Sequence, residues 1–223
     1  MPRRPRTVFP GVPHHVTQRG NRRQRIFFKP EDYEAFLEFA AVACRDAGVE
    51  IWAYCLMPNH VHLVATPNSE GALASAIAGM NANYARRLNR REGWSGHVWQ
   101  GRFASFPMDE DHLLNCVRYV GLNPVRAGLA RHASEWRWSS VPAHLQGCPD
   151  PLVVVEPLAA RLGTNLPSFF DVDVESAELH RLRQASVNGR PLGGKAWLER
   201  LARSWETGTA CGRASPRPSS DAT

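Results

Sequence analysis

The 223 residues are 43% hydrophobic, enough for one core-bearing domain with an appendage and too apolar for a chain disordered throughout. The balance is basic, with 27 Lys and Arg against 21 Asp and Glu, a formal net charge of +6 and a pI near 9.4. Five widely spaced cysteines with no Cys-x-x-Cys argue against a disulfide framework or a cysteine zinc site, and make a reducing cytoplasm the natural setting. No apolar run approaches the length that spans a bilayer, and the arginine-rich start, interrupted by prolines, lacks the apolar stretch of a signal peptide. The positive charge is localised. Arg3, Arg4, Arg6, Arg19, Arg22, Arg23 and Arg25 precede the first acid, and Arg86, Arg87, Arg90 and Arg91 cluster in a helical stretch. Such fields attract polyanions such as nucleic acid, although a solvated basic face carries the same pattern.

In chain order, residues 12–19 read as a strand ended by Gly20-Asn21. Pro30 opens a helix with Glu31 and Asp32 in its first turn, apolar Phe36, Phe39, Ala40 and Ala43 at helical spacing, and Gly48 at its end. Residues 49–56 and 60–66 form two strands around the turn Met57-Pro58-Asn59, hence a hairpin. A second helix covers 70–91, a Gly- and Trp-bearing loop 93–101, a short fourth strand 102–107 and a third helix 109–121, closed before Asn123-Pro124. The first six elements match the ferredoxin-like split βαβ arrangement, an α+β fold whose antiparallel sheet carries its helices on one face, with a late helix following. Trp136, Trp138, Ser139 and Ser140 are expected to tuck the chain back onto this domain, taken as 1–148. Beyond 149 the pattern weakens into a less ordered, partly helical extension to 206, with a small strand at Val153–Val155, helices over 174–185 and 195–206, and a disordered tail over 207–223.

His60-Val61-His62 is the sharpest chemical feature. Side chains two apart on a strand share a face, so both imidazoles can reach one cation while Val61 points into the core; two histidines on a sheet face satisfy the same spacing. Tyr119 lies in the third helix, and Asn123 shares its face if that helix continues one more turn. A phenol, with a pKa of about 10, becomes a useful nucleophile only beside a charge-neutralising group; otherwise Tyr119 is a packing residue. Tyr84, beside Arg86 and Arg87, is the best rival, ahead of Tyr33 and Tyr54. His14 and His15 face opposite sides of the first strand, so one of them is a candidate neighbour of the histidine pair, or both are half-buried strand residues. Trp99, Gln100, Arg102 and Phe103 either contact nucleic acid or, for the aromatics, anchor their loop in the core. A hydrolase with a water nucleophile on His60, His62 and His14 ranks last, because no HExxH-type acidic motif is present.

Met-Pro-Asn-His-Val-His at 57–62, Trp-Gln-Gly-Arg-Phe at 99–103 and Arg-Tyr-Val-Gly-Leu-Asn-Pro-Val-Arg-Ala-Gly-Leu at 118–129 together resemble the single-tyrosine HUH transposases, most of all their REP-associated tyrosine branch. The resemblance covers about residues 10–145, and Gly189-Arg190-Pro191-Leu192-Gly193 is similar to a segment that follows the catalytic domain in chromosomal relatives. It implies a transposase or DNA endonuclease with strand-joining activity on single-stranded or hairpin DNA. His60, His62 and Asn123 would ligate a divalent cation, Mg²⁺ or Mn²⁺, and Tyr119 would form a 5′-phosphotyrosine link. Arg19, Arg22, Arg23, Arg86, Arg87, Arg102 and Arg118 are the expected DNA contacts, in a cytoplasmic monomer or homodimer without membrane association. A DNA-hairpin-binding protein that has kept such a fold and lost the reaction is the alternative.

Overall fold

The computed structural model describes residues 8–206; Arg3, Arg4, Arg6 and the tail 207–223, whose disorder was expected, lie outside the described residues. Strands β1 (His14–Arg19), β2 (Val49–Met57), β3 (His60–Pro67) and β4 (Ala104–Pro107) form one sheet in the order β2-β3-β1-β4, every neighbouring pair antiparallel. Helix α1 (Pro30–Ala47) links β1 to β2 and helix α2 (Ala72–Glu92) links β3 to β4, which is the expected split βαβ connectivity.

Local chemistry sets these boundaries. Pro30 occupies the first turn of α1, where its missing N–H costs no bond, and the Asp32 carboxylate accepts from the N–H groups of Phe28 (2.9 Å) and Lys29 (3.2 Å). Gly48 ends α1 in the left-handed region (φ 69°), its N–H returned to the Arg45 and Cys44 carbonyls. Alternation along β1 and β3 then divides the sheet between two cores. Val16, Val61, Leu63 and Ala65 face α1 and α2, where Phe36, Ala40, Leu73, Ile77 and Met80 are buried. His15, His62 and Val64 face the other way.

That second face is covered by α3 (Glu110–Gly121), which buries Leu113, Cys116, Val117 and Val120, and by later parts of the chain. Past α3 the chain forms α4 (Asn123–Arg126), α5 (Val141–Gln146), α6 (Glu156–Leu162), α7 (Ser176–Asn188) and α8 (Lys195–Glu206), of which only the last two were legible in the sequence. Leu158, Leu162, Phe169, Phe170, Val174 and Leu182 join the same core as α3. The expected strand at Val153–Val155 is a single bridge, Val153 to Ile51, with the Val154 N–H donated to the Ile51 carbonyl (2.8 Å).

Both sheet edges are closed. Leu56 donates to the Trp138 carbonyl (2.8 Å) and Ser140 to that of Tyr54 (3.0 Å), so the 136–140 segment does fold back, along β2. Leu192 pairs with the end of β4, its N–H donating to the Pro107 carbonyl (2.9 Å) and its carbonyl accepting from the Asp109 N–H (3.1 Å). No described helix is long and apolar enough to cross a membrane, and Cys44, Cys55, Cys116 and Cys148 are free thiols.

The Asp32 carboxylate, 1% exposed, also receives the Arg91 guanidinium and so ties α1 to α2. Burial raises its pKa, but the Arg91 bond, the two backbone N–H groups and the Arg91 charge together outweigh burial and hold it below the usual carboxylate value. A depressed folded pKa contributes stability that is present above the unfolded value, about 3.9, and is lost as pH falls through the folded one. Asp32→Ala is therefore expected to cost about 3 kcal/mol at pH 7 in urea unfolding, with the gap to wild type narrowing below about pH 4. A gap that stays constant down to pH 2 would contradict this role.

Candidate active site

Strand β3 presents His60 and His62 with ring centroids 4.8 Å apart, and Val61 between them is buried in the opposite core. The surrounding hydrogen bonds decide where each imidazole carries its proton. The Asn59 amide N–H₂ donates to the Arg23 carbonyl (3.1 Å), so its oxygen is the atom 2.6 Å from His60 Nδ1 and must accept from it. His60 thus holds its proton on Nδ1 and leaves the Nε2 lone pair free.

For His62 the same logic runs through three residues. The Ser186 hydroxyl on α7 donates to the Leu182 carbonyl (2.9 Å), so its oxygen accepts from His15 Nδ1 (3.4 Å). His15 Nε2 then accepts from His62 Nδ1 (2.9 Å), and His62 Nε2 is left with a lone pair. Neither Nε2 has a hydrogen-bond partner among the described residues. The His15 and His62 rings stack, 5.1 Å apart and 7° from parallel. Burial, reinforced by the Arg19 charge, lowers the His60 pKa to about 4. Burial first, and then the neighbouring cationic groups, holds His62 well below its ordinary value. Both rings are neutral at pH 7, which is the ligating form.

Tyr119 reaches the same place from α3. Its ring lies 5.6 Å from that of His62, nearly perpendicular to it, and 6.0 Å from that of His15. Arg126 fixes the tyrosine from behind: its guanidinium sits 4.8 Å over the ring, donates to the Tyr119 carbonyl and pairs with Asp173 (2.7 Å). Helix α3 does not continue to Asn123. It breaks at Leu122 (φ −86°, ψ 1°), because Pro124 has no N–H to carry the helical hydrogen bonding onward. Asn123 opens α4 instead, and it still lines the cleft that holds Tyr119, His60 and His62.

This cleft, about 580 Å³, carries the guanidinium groups of Arg19, Arg23, Arg102 and Arg183. Three of these were expected from the sequence. Arg183, like Ser186, comes from α7, and no sequence signal ties that helix to a strand about 170 residues earlier. The other expected arginines lie elsewhere. Arg22 borders a separate depression with Trp94, and Arg86 and Arg87 line a groove with Phe39, Arg90 and Arg91. Arg118 is turned to the C-terminal region, donating to the Phe169 carbonyl (3.0 Å) with its guanidinium 4.3 Å over that ring.

The rival assignments separate on burial. Tyr84 donates to the Ile26 carbonyl (2.6 Å), Tyr54 donates to Asp150 (2.5 Å), and burial drives both pKa values up. Tyr33 is stacked between Phe27 and Trp138. Of the histidines on β1, His15 belongs to the site, whereas His14 faces the opposite side and bonds Val12; both are fully buried, not half-buried. A site built from His60, His62 and His14 is thereby ruled out. Trp99 and Phe103 are core anchors, each 9% exposed, with Trp99 Nε1 donating to the Asn81 carbonyl (3.0 Å), while Gln100 and Arg102 open into the cleft.

Among the described residues no cluster of three His, Cys, Asp or Glu side chains forms a metal site. The available donors are two neutral imidazoles and one amide. This mixed set suits a cation that accepts nitrogen, Mn²⁺ better than Mg²⁺.

The chain is 29% identical over 108 residues to a REP-associated tyrosine transposase of Haemophilus influenzae, covering 44% of this chain and 61% of the relative. It is 24% identical over 97 residues to the REP-associated tyrosine transposase of Escherichia coli, covering 43% and 56%. The match thus spans about six-tenths of these relatives' length. A solved REP-associated tyrosine transposase, bound to a REP hairpin, shares the fold at a TM-score of 0.51 and 21% identity, covering 69% of this chain and 92% of that one. The profile of the IS200-like transposases matches residues 9–123, slightly more than half of the chain, and the protein belongs to that family.

Proposed function

We propose that this protein cuts and rejoins single-stranded DNA through a covalent 5′-phosphotyrosine at Tyr119. The observation that carries this reading is the meeting, within one chain, of the Tyr119 ring and the His60–His62 pair in a cleft lined by four arginines. Arg19, Arg23, Arg102 and Arg183 would bind the DNA phosphates. The Tyr119 oxygen would attack the scissile phosphorus and release its phenolic proton to solvent. The P–O3′ bond breaks, and the departing oxygen takes up a proton as a 3′-hydroxyl. The phosphotyrosine keeps a phosphodiester in hand, so a later 3′-hydroxyl can reverse the step and join strands. A divalent cation, Mg²⁺ or Mn²⁺, held by His60, His62 and Asn123, would supply charge neutralisation at the phosphate. Hairpin DNA is the favoured substrate form, since the relative of known structure was solved with a hairpin.

The site needs no second copy of the chain, which favours a working monomer. In this reading residues 1–148 are the catalytic unit. Residues 149–206 are an accessory unit that completes the cleft through Arg183 and Ser186.

The test is incubation of a labelled DNA hairpin with the full chain and Mn²⁺, followed by denaturing gels and peptide mapping. The expected result is a covalent adduct on the Tyr119 peptide. Free 5′-phosphate ends without any adduct would replace this reading with hydrolysis. The relay behind His62 adds a second expectation. His15→Leu removes the nearer of the two groups on His62 Nδ1, leaving only the Thr17 hydroxyl at 3.4 Å, and Mn²⁺ affinity, read by electron paramagnetic resonance titration, should fall about 10- to 100-fold. His15→Gln, whose side-chain oxygen can accept the same proton, should recover much of it. Wild-type Mn²⁺ affinity in His15→Leu would refute the relay.

A further inference from the structure

Two aromatic side chains stand exposed among the described residues, Phe28 at 39% and Trp94 at 45%, and they lie against each other with ring centroids 5.9 Å apart, edge to face. Their surroundings are cationic. The guanidinium groups of Arg25 and Arg91 sit 5.9 Å and 6.0 Å from the Phe28 ring. Arg91 is neutralised by Asp32 and Glu92, but Arg22, Arg25, Arg87 and Arg90 form no ion pair among the described residues. An exposed indole beside unpaired arginines is a poor arrangement for a surface facing only water.

The backbone that carries the indole is also held in place. The Trp94 backbone N–H donates to the Asn89 carbonyl (2.9 Å), the Asn89 side-chain amide donates to the Gly96 carbonyl (3.0 Å), and the Asn21 backbone N–H donates to the Val98 carbonyl (2.8 Å). The patch is continuous with the catalytic cleft. Arg22 and Arg23 both adopt left-handed backbone (φ 54° and 60°), a conformation that costs energy in a residue with a β-carbon. It sends neighbouring residues to different sites: Arg23 lines the cleft of His60, and Arg22 borders the depression of Trp94. On the far side Arg91 leads into the groove of Arg86, Arg87 and Arg90 along α2.

The geometry points to Phe28 and Trp94 as a base-stacking platform for unpaired bases of single-stranded DNA that runs out of the catalytic cleft across the Asn21–Arg25 turn, with Arg22 and Arg25 on its phosphates. This rests on the DNA-cleavage reading above and adds a second contact outside the cleft. Aromatic faces stack on bases of any sequence, and in a duplex those base faces are already occupied.

The test is fluorescence anisotropy of the full chain with a labelled single-stranded oligonucleotide, and with the same sequence as a duplex, in EDTA. Trp94→Ala should weaken single-strand binding about 10-fold and leave duplex binding unchanged, Phe28→Ala should follow it, and Trp94→Phe should retain most of the affinity. Undiminished single-strand binding in Trp94→Ala, or an equal loss on the duplex, would overturn the platform. The measurement needs neither metal nor Tyr119. A failed adduct assay alongside a single-strand-specific loss in Trp94→Ala would therefore sink the cleavage reading and keep the platform.

Discussion

Tyr119→Phe is expected to lower covalent DNA adduct formation at least about 1,000-fold, to the background of the denaturing gel, while leaving the fold intact. The substitution removes one oxygen atom and keeps the ring, so the contacts with His62 and His15 and the Arg126 guanidinium stacked on it remain. Tyr119 is only partly buried, and its hydroxyl forms no hydrogen bond among the described residues, so the melting temperature should stay near wild type. DNA binding should also persist, because the four cleft arginines are untouched. The other three tyrosines cannot stand in: each is buried in the α1–α2 core, and two have their hydroxyls bonded there. Quantifying the adduct over a time course, with binding measured in parallel, separates loss of chemistry from loss of affinity. An adduct of wild-type yield in Tyr119→Phe would remove the nucleophile from this account.

The second large effect concerns the histidine pair. His60→Ala and His62→Ala should each lower adduct yield at least about 100-fold and weaken Mn²⁺ binding, since each removes one of two neutral imidazoles whose Nε2 is free. They should differ in stability. His62 is 3% exposed, stacks on His15 and satisfies its Nε2, so its removal leaves a cavity and an unpaired buried nitrogen, costing about 1–3 kcal/mol. His60 sits at the partly exposed end of β3, and its loss frees only the Asn59 oxygen, which water can reach. Thermal melts read against Mn²⁺ titrations give this contrast directly. Equal destabilisation by both, or a His60→Ala protein with full adduct yield, would contradict the assigned roles.

Much of the architecture is legible because it is local. Pro30, Gly48, the Pro58-Asn59 turn and the acids before α3 mark element boundaries by their backbone chemistry, and period-two and helical spacing name the elements between them. The His60–His62 pair is legible for the same reason, since strand geometry alone puts both on one face. The sequence misled where one residue's role depends on a distant one. The loop after α2 holds both Trp94 and Trp99, and nothing in its composition says which is exposed; Trp99 is buried because α1 and α2 leave a slot beside Phe36 and Tyr84. Arg118 fits a phosphate contact until Phe169 packs against it.

From residue order alone came the βαββαβ plan, the paired imidazoles and the late tyrosine, all set by backbone propensity and spacings of a few residues. Only the tertiary structure decided that His15 rather than His14 backs the pair, that Ser186 and Arg183 of α7 complete the site, and that Asn123 stays in the cleft after its helix breaks. These contacts join positions 47 and 171 residues apart, and they exist because the sheet's second face must be covered by apolar helices to exclude water.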